Sequence, residues 1–251
     1  MQKCKLFFQR HYYLTIVVSI LILFASCSPL YRPNTVNVPL FKEKNEISVN
    51  AGASSNGADI QAAYSVSDHF AVMANGSFYN ANTTEATGIA RKENNFGEIG
   101  IGYYTHIGED INGEIYSGFG MGKAYNQNNY WIELNSFNRV DYNKIFVQPS
   151  IGFVSNIFEL AASIRWSYVD YYNFKSDSPI NYGNLPNRSA NMFIEPALTA
   201  RAGYKSVKIF TQVGAALPTM PITYNYRPLM LSMGVNVKLA QRYKTLPAAN
   251  N

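Results

Sequence analysis

The chain has 251 residues, of which 47% are hydrophobic, 14% aromatic and only 15% charged; this is too apolar for a disordered polymer and long enough for one larger all-β unit. Its formal charge of +5 (21 Lys and Arg against 16 Asp and Glu) owes three units to Lys3, Lys5 and Arg10 in the first 26 residues, which carry no acidic group, so the remainder holds +2. A balance that small gives no basis for a nucleic-acid partner, which would need a clustered basic face.

Residues 1–26 read as an export leader. Lys3, Lys5 and Arg10 form a basic n-region, and the uncharged run Leu14 to Phe24 is an h-region of signal-peptide length, about half the roughly 20 apolar residues of a spanning helix. The sequence Leu23-Phe24-Ala25-Ser26-Cys27 that closes it resembles the lipobox of bacterial lipoproteins. That resemblance implies that Cys27 is acylated, with palmitate-type chains, and becomes the new N-terminus. Cysteine usage agrees: Cys4 leaves with the leader, so Cys27 is the one thiol left in the processed chain and no internal disulfide can form. A solitary thiol in an exported chain calls for an explanation, which lipidation supplies.

Residues 27–45 follow. Pro29, Pro33 and Pro39 interrupt the stretch and no helical or strand period runs through it, which predicts an extended, lipidated tether. Pro33-Asn34, Pro39-Leu40-Phe41 and Lys44-Asn45-Glu46 resemble the start of a group of uncharacterised Bacteroidetes-type outer-membrane β-barrel lipoproteins. Cys27 is not followed by the acidic cluster that resembles a surface-export signal in such lipoproteins, so the expectation is a tether in the periplasm-facing leaflet.

From residue 46 to 240 the dominant signal is alternation with period two. It predicts about ten strands, near 46–54, 58–66, 70–81, 94–106, 113–125, 143–154, 158–172, 191–204, 207–217 and 228–240. Several exceed the usual 5–6 residues of globular strands and match the roughly 9–11 that cross a bilayer at a tilt. Connections alternate between tight turns at 67–69, 108–110, 155–157 and 205–206 and longer segments at 82–93, 126–142, 173–190 and 218–227; the turn at 54–57 is the one short connection among the latter. Short and long in phase with the strand count is the habit of a membrane barrel, with short turns on the periplasmic side. The expected fold is therefore all-β: a closed antiparallel up-and-down transmembrane β-barrel.

The two faces of the strands differ in chemistry. Leu160, Ile164, Leu198 and Val235 lie on one face, whereas Asp59, Glu98, Glu114, Glu159, Arg165, Glu195, Arg201 and Lys238 lie on the other. About ten strands enclose too little volume for large apolar side chains from every strand, so the polar set is expected to line the lumen, with its charges paired or hydrated. Tyr103, Tyr104, Trp166, Tyr168, Tyr171, Tyr172 and Tyr204 are candidates for aromatic girdles. Ser232-x-Gly234-x-x-Val237-x-Leu239 resembles the C-terminal insertion signal of bacterial outer-membrane proteins, which implies dealings with the barrel-assembly machinery, as the lipobox does with lipoprotein sorting. A tail, 241–251, follows.

Signs of catalysis are lacking. His69 and His106 flank short turns without a sequence-visible partner, and no spacing of His and Cys suits a metal, no glycine loop a phosphate, and no elbow a nucleophile. No cofactor is expected. The Asn-rich stretch 126–142, with Tyr130, Trp131 and Phe137, has the composition of an adaptable recognition loop and equally of a plain solvated one. The sequence thus predicts a lipid-anchored, non-enzymatic outer-membrane barrel with a plugged or narrow polar lumen and a structural, surface-interaction or accessory role. The alternatives are a small-solute pore or ligand carrier, and a soluble periplasmic lipocalin-like barrel held by lipid.

Overall fold

The computed structural model describes residues 29–85, 88–130, 136–177, 188–222 and 224–243. The leader and Cys27 lie outside them, as does the tail beyond Tyr243. Successive side chains of a strand point to opposite faces; along 158–168, Glu159, Ala161, Ser163, Arg165 and Ser167 are buried while Phe158, Leu160, Ala162, Ile164, Trp166 and Tyr168 are exposed. The same division runs round the molecule through strands β1 (Ile47–Ser54), β2 (Gly57–Ser65), β3 (Phe70–Glu85), β4 (Gly88–His106), β5 (Ile111–Tyr130), β6 (Ser136–Val154), β7 (Phe158–Ser176), β8 (Arg188–Tyr204), β9 (Val207–Ala215), β10 (Leu217–Pro218) and β11 (Leu229–Leu239).

Each strand pairs antiparallel with its sequence neighbours, β8 with β9 and β9 with β11. β1 takes β2 on one side and β11 on the other. The two-residue β10 continues β9 past Ala216 along β8, so the wall is a closed up-and-down barrel of ten staves. Leu160, Leu198 and Val235 are 48%, 56% and 45% exposed, against 0% for Arg165 and 2% for Glu195. The apolar face is outside and the charged face inside.

The wall is uneven in height. β4 to β7 have 19 or 20 residues each, β1, β2 and β9 only eight or nine. Outside residues 86–87 and 131–135, the expected loops at 82–93 and 126–142 are arms of these tall hairpins: Thr84 pairs with Ile89, and Gln127 with Phe137. Backbone pairing needs no apolar alternation, so it runs on past the point where the two-faced pattern stops. At the other end the turns are tight, with Val66 N–H bonded to Phe70 O and Ile107 N–H to Ile111 O.

The segment expected as a tether is extended, but it runs through the barrel. Residues 29–41 are all buried. Leu30 N–H donates to Asn225 O, in the connection between β10 and β11 at the long-hairpin mouth. Asn56, in the β1–β2 turn, donates to Pro33 O at 2.8 Å. At the tight-turn end Lys42 Nζ reaches Asp110 at 3.0 Å, and the chain turns into β1 at Asn45, whose φ of 63° is a left-handed value that Asn tolerates. Eight strands enclose just enough room for their own side chains; ten leave a bore, and an extended segment fills it. Among the described residues no helix is long and apolar enough to cross a membrane, a statement that concerns helices alone.

Candidate functional site

The lumen and the segment inside it form the one site where buried chemistry converges. In β7 and β8 the register sets Glu159 opposite Arg201 and Arg165 opposite Glu195, so each pair of opposite charges shares a rung. Near the tight-turn end Glu159 receives Arg201 at 2.9 Å and both Lys208 and Lys238 at 2.8 Å. Further up, Glu98 receives Arg165 at 3.1 Å, while Lys144 stands 3.8 Å from both Glu98 and Glu195. Gln148 Oε1 accepts Arg165 Nε at 2.9 Å and Nη2 at 2.7 Å. Asp59 accepts from Thr35 Oγ1 at 2.7 Å and Glu114 from Leu40 N–H at 3.0 Å.

All eight polar positions singled out in the sequence thus face this interior. Two more cations were missed. Lys144 and Lys208 are 1% exposed; with Arg165, Arg201 and Lys238 they surround Glu98, Glu159 and Glu195, while Asp59 and Glu114 are held by Thr35 and by the Leu40 amide. The alternation could have found both, since Lys144 shares a face with Phe146 and Gln148, and Lys208 with Phe210 and Gln212. Charges removed from water at this depth need partners, and the wall supplies them across strands.

The internal segment, or plug, is held chiefly by its backbone. Gln212 Oε1 accepts from Val36 N–H at 2.7 Å and Gln212 Nε2 donates to Val36 O at 2.8 Å. Gln61 donates to Thr35 O at 2.5 Å and Gln148 to Asn37 O at 2.8 Å. Arg201 reaches Val38 O at 2.7 Å, Lys238 Leu40 O at 3.4 Å and Asn112 Phe41 O at 2.7 Å. Side chains from several strands therefore play the part that a neighbouring strand plays in a sheet, satisfying backbone groups that burial would otherwise leave unpaired.

Apolar plug residues fill matching hollows. Val36, Val38 and Leu40 pack with Val154, Ala161 and Ala197, and Phe41 with Ala63, Ala71, Met73, Tyr104, Tyr116 and Phe146. Gly152 makes room for Leu40: a Cβ there would lie 2.7 Å from Leu40 Cδ1. Tyr31 stacks on Phe193 with centroids 4.3 Å apart and donates its hydroxyl to Glu195. Asn34 Oδ1 accepts from Lys144 Nζ at 2.8 Å while its Nδ2 donates to Glu98 at 3.2 Å.

Other sequence candidates fall elsewhere. Tyr103, Trp166, Tyr168 and Tyr204 are exposed on the outer face, but Tyr104 and Tyr171 point inward and are buried; their alternation puts them one residue off the outer face. Outside residues 131–135, the stretch expected as a recognition loop is strand. Tyr130 ends β5, and Phe137 lies in β6, half-buried and stacked on Tyr125 at 6.4 Å; Trp131 lies outside the described residues. His69 is exposed at its turn, its ring 5.5 Å from that of Tyr103. Among the described residues no cluster of three His, Cys, Asp or Glu could hold a metal. Past β11, Arg242 donates to both oxygens of Glu46 at 2.7 Å, clasping the C-terminal end to the foot of the plug.

No family model matches the chain, and no curated protein is similar to it. Among solved structures, the translocator domain of the autotransporter NalP from Neisseria meningitidis is similar at 10% identity and a TM-score of 0.49, over 78% of this chain and 86% of that one. The N-terminal β-barrel domain of Pseudomonas aeruginosa OprF gives 10% identity and 0.34 over 78% and 99%. OmpTΔL8, a loop-deleted outer-membrane protein of Vibrio cholerae, gives 9% and 0.25 over 77% and 97%. Function does not travel across such likeness.

Proposed function

We propose that this protein is a lipid-anchored outer-membrane β-barrel whose bore is closed by its own N-terminal segment, serving as a structural or surface-interaction element rather than as a catalyst or an open pore. The observation that carries the reading is the pairing of an apolar exterior with a filled, polar interior. Ile99, Ile101 and Ile209 are more than 60% exposed, and a wall with so much exposed aliphatic surface is stable in hydrocarbon, not in water. A lipocalin-like soluble barrel has the opposite sidedness. A pore would need water where Val36, Val38 and Leu40 sit.

The path of the plug bears on the anchor. Leu30 is at the long-hairpin mouth, and Cys27 is three residues away, no more than about 11 Å of chain. The hydrocarbon core is about 30 Å thick. If the tight turns face the periplasm, as in membrane barrels generally, acyl chains on Cys27 enter the outer leaflet, contrary to the sequence expectation of the periplasm-facing one. Extraction tests the reading: the full chain should need detergent and migrate faster on gels unheated than boiled, and a Cys27→Ser chain should still need detergent. A Cys27→Ser protein that stays in solution without detergent refutes it.

A further inference from the structure

We propose that the lumen is a binding channel for extended polypeptide, of which residues 29–41 are a resident occupant that a second peptide of like form can replace. This goes beyond the closed-barrel reading and does not depend on which side of a membrane each mouth faces.

The wall grips main chain as well as side chains. From Pro33 to Phe41 seven carbonyls and two N–H groups are met by buried polar side chains, and the two-point grip of Gln212 on Val36 would fit any residue but proline at that position. Groups common to every peptide are therefore what the channel binds. Side-chain demands stand beside these: an aromatic ring for the hollow around Phe41, hydrogen-bonding residues where Tyr31 meets Glu195, Asn34 lies between Lys144 and Glu98, Thr35 meets Asp59 and Asn37 meets Asn75, and modest apolar volume around Val36 and Val38 and opposite Gly152. No wall strand pairs with the segment; its single ladder contact is the isolated parallel bridge from Tyr31 to Tyr226, at the mouth. Withdrawing the segment therefore breaks side-chain contacts and two backbone bonds at the mouth, to Asn225 and Arg227, and leaves the ten-strand hydrogen-bond network whole. The ligand class that follows is an extended peptide of about a dozen residues, uncharged through its middle and ending in an aromatic residue.

The test uses the full chain. A site-specific protease sequence is inserted between Lys44 and Asn45, where both residues are exposed, and is cut after folding in detergent, so that the segment is held by contacts alone. A fluorescent synthetic peptide of residues 29–44 is then added in excess and its anisotropy followed, with native mass spectrometry to count segments per barrel. The expected result is one-for-one exchange. A peptide N-methylated at Val36 should bind at least about tenfold more weakly, since it loses a buried backbone donor, whereas one with Val36 and Val38 replaced by Ile and Thr should bind within about tenfold. A cut segment that never yields to excess peptide overturns the proposal, as does one that leaves and is not replaced, or an N-methyl group without effect.

Discussion

The side-chain amide of Gln212 makes both backbone hydrogen bonds of Val36, across 176 positions of sequence, at 2.7 and 2.8 Å. It stands in for a neighbouring strand at the middle of the plug, and it also donates to Thr199 at 2.7 Å. Gln212→Leu keeps the volume and removes every one of these bonds. Each buried backbone group left unpaired costs about 1–3 kcal/mol. The expected outcome is faster hydrogen exchange at the Val36 amide by about two orders of magnitude or more, with amides in β4 and β5 unchanged.

Among the described residues Glu159 is the single carboxylate within reach of Arg201, Lys208 and Lys238 at 2.8–2.9 Å. Glu159→Gln leaves three buried cations facing one another and should destabilise the barrel by about 3–5 kcal/mol. The midpoint of the heat-induced gel shift should fall accordingly. Lys208→Met in the same chain should recover part of the loss, because one of the stranded charges is gone.

Leu40 is fully buried yet has a φ of 53°. A left-handed backbone costs a residue with a Cβ about 1–2 kcal/mol, and truncating a buried Leu costs about 2–5 kcal/mol. Packing outweighs strain, so both Leu40→Ala and Leu40→Gly should destabilise. Their order should invert the usual one: glycine, free of the strain, should be less harmful than alanine by about 1 kcal/mol. Denaturation midpoints of the two variants in the same detergent decide it.

Leu198, 56% exposed at mid-strand, tests what the outer face touches. Leu198→Arg should cost about 2–4 kcal/mol in a bilayer, while Thr84→Arg on a protruding hairpin arm, exposed and opposite Ile89, should cost nothing measurable. Folding titrations in lipid vesicles compare them. Equal, negligible effects would mean that water surrounds the wall.

The strands were legible because each one separates an apolar from a polar face, and period two survives wherever hydrocarbon and a polar bore lie on opposite sides, as in β7. The hairpin arms were not, because Thr84, Asn126 and Asn128 continue the ladder without that contrast. The plug hid for the converse reason. Buried on all sides, it alternates only over Thr35 to Leu40, a run too short to mark it among ten longer strands, and its prolines suit a segment whose amides meet scattered side chains instead of a ladder. One trace of it was on view: polar residues such as Gln61, Gln148 and Gln212, set among the inward charges, need partners that a wall of ten strands alone does not supply.

The most direct measurement is conductance in planar bilayers of the full chain beside a chain lacking residues 30–41. The account predicts a silent full-length barrel and steady ion flow once the segment is removed. Equal conductance from both, at any level above the bare bilayer, would contradict a bore closed by the protein's own N-terminal strand.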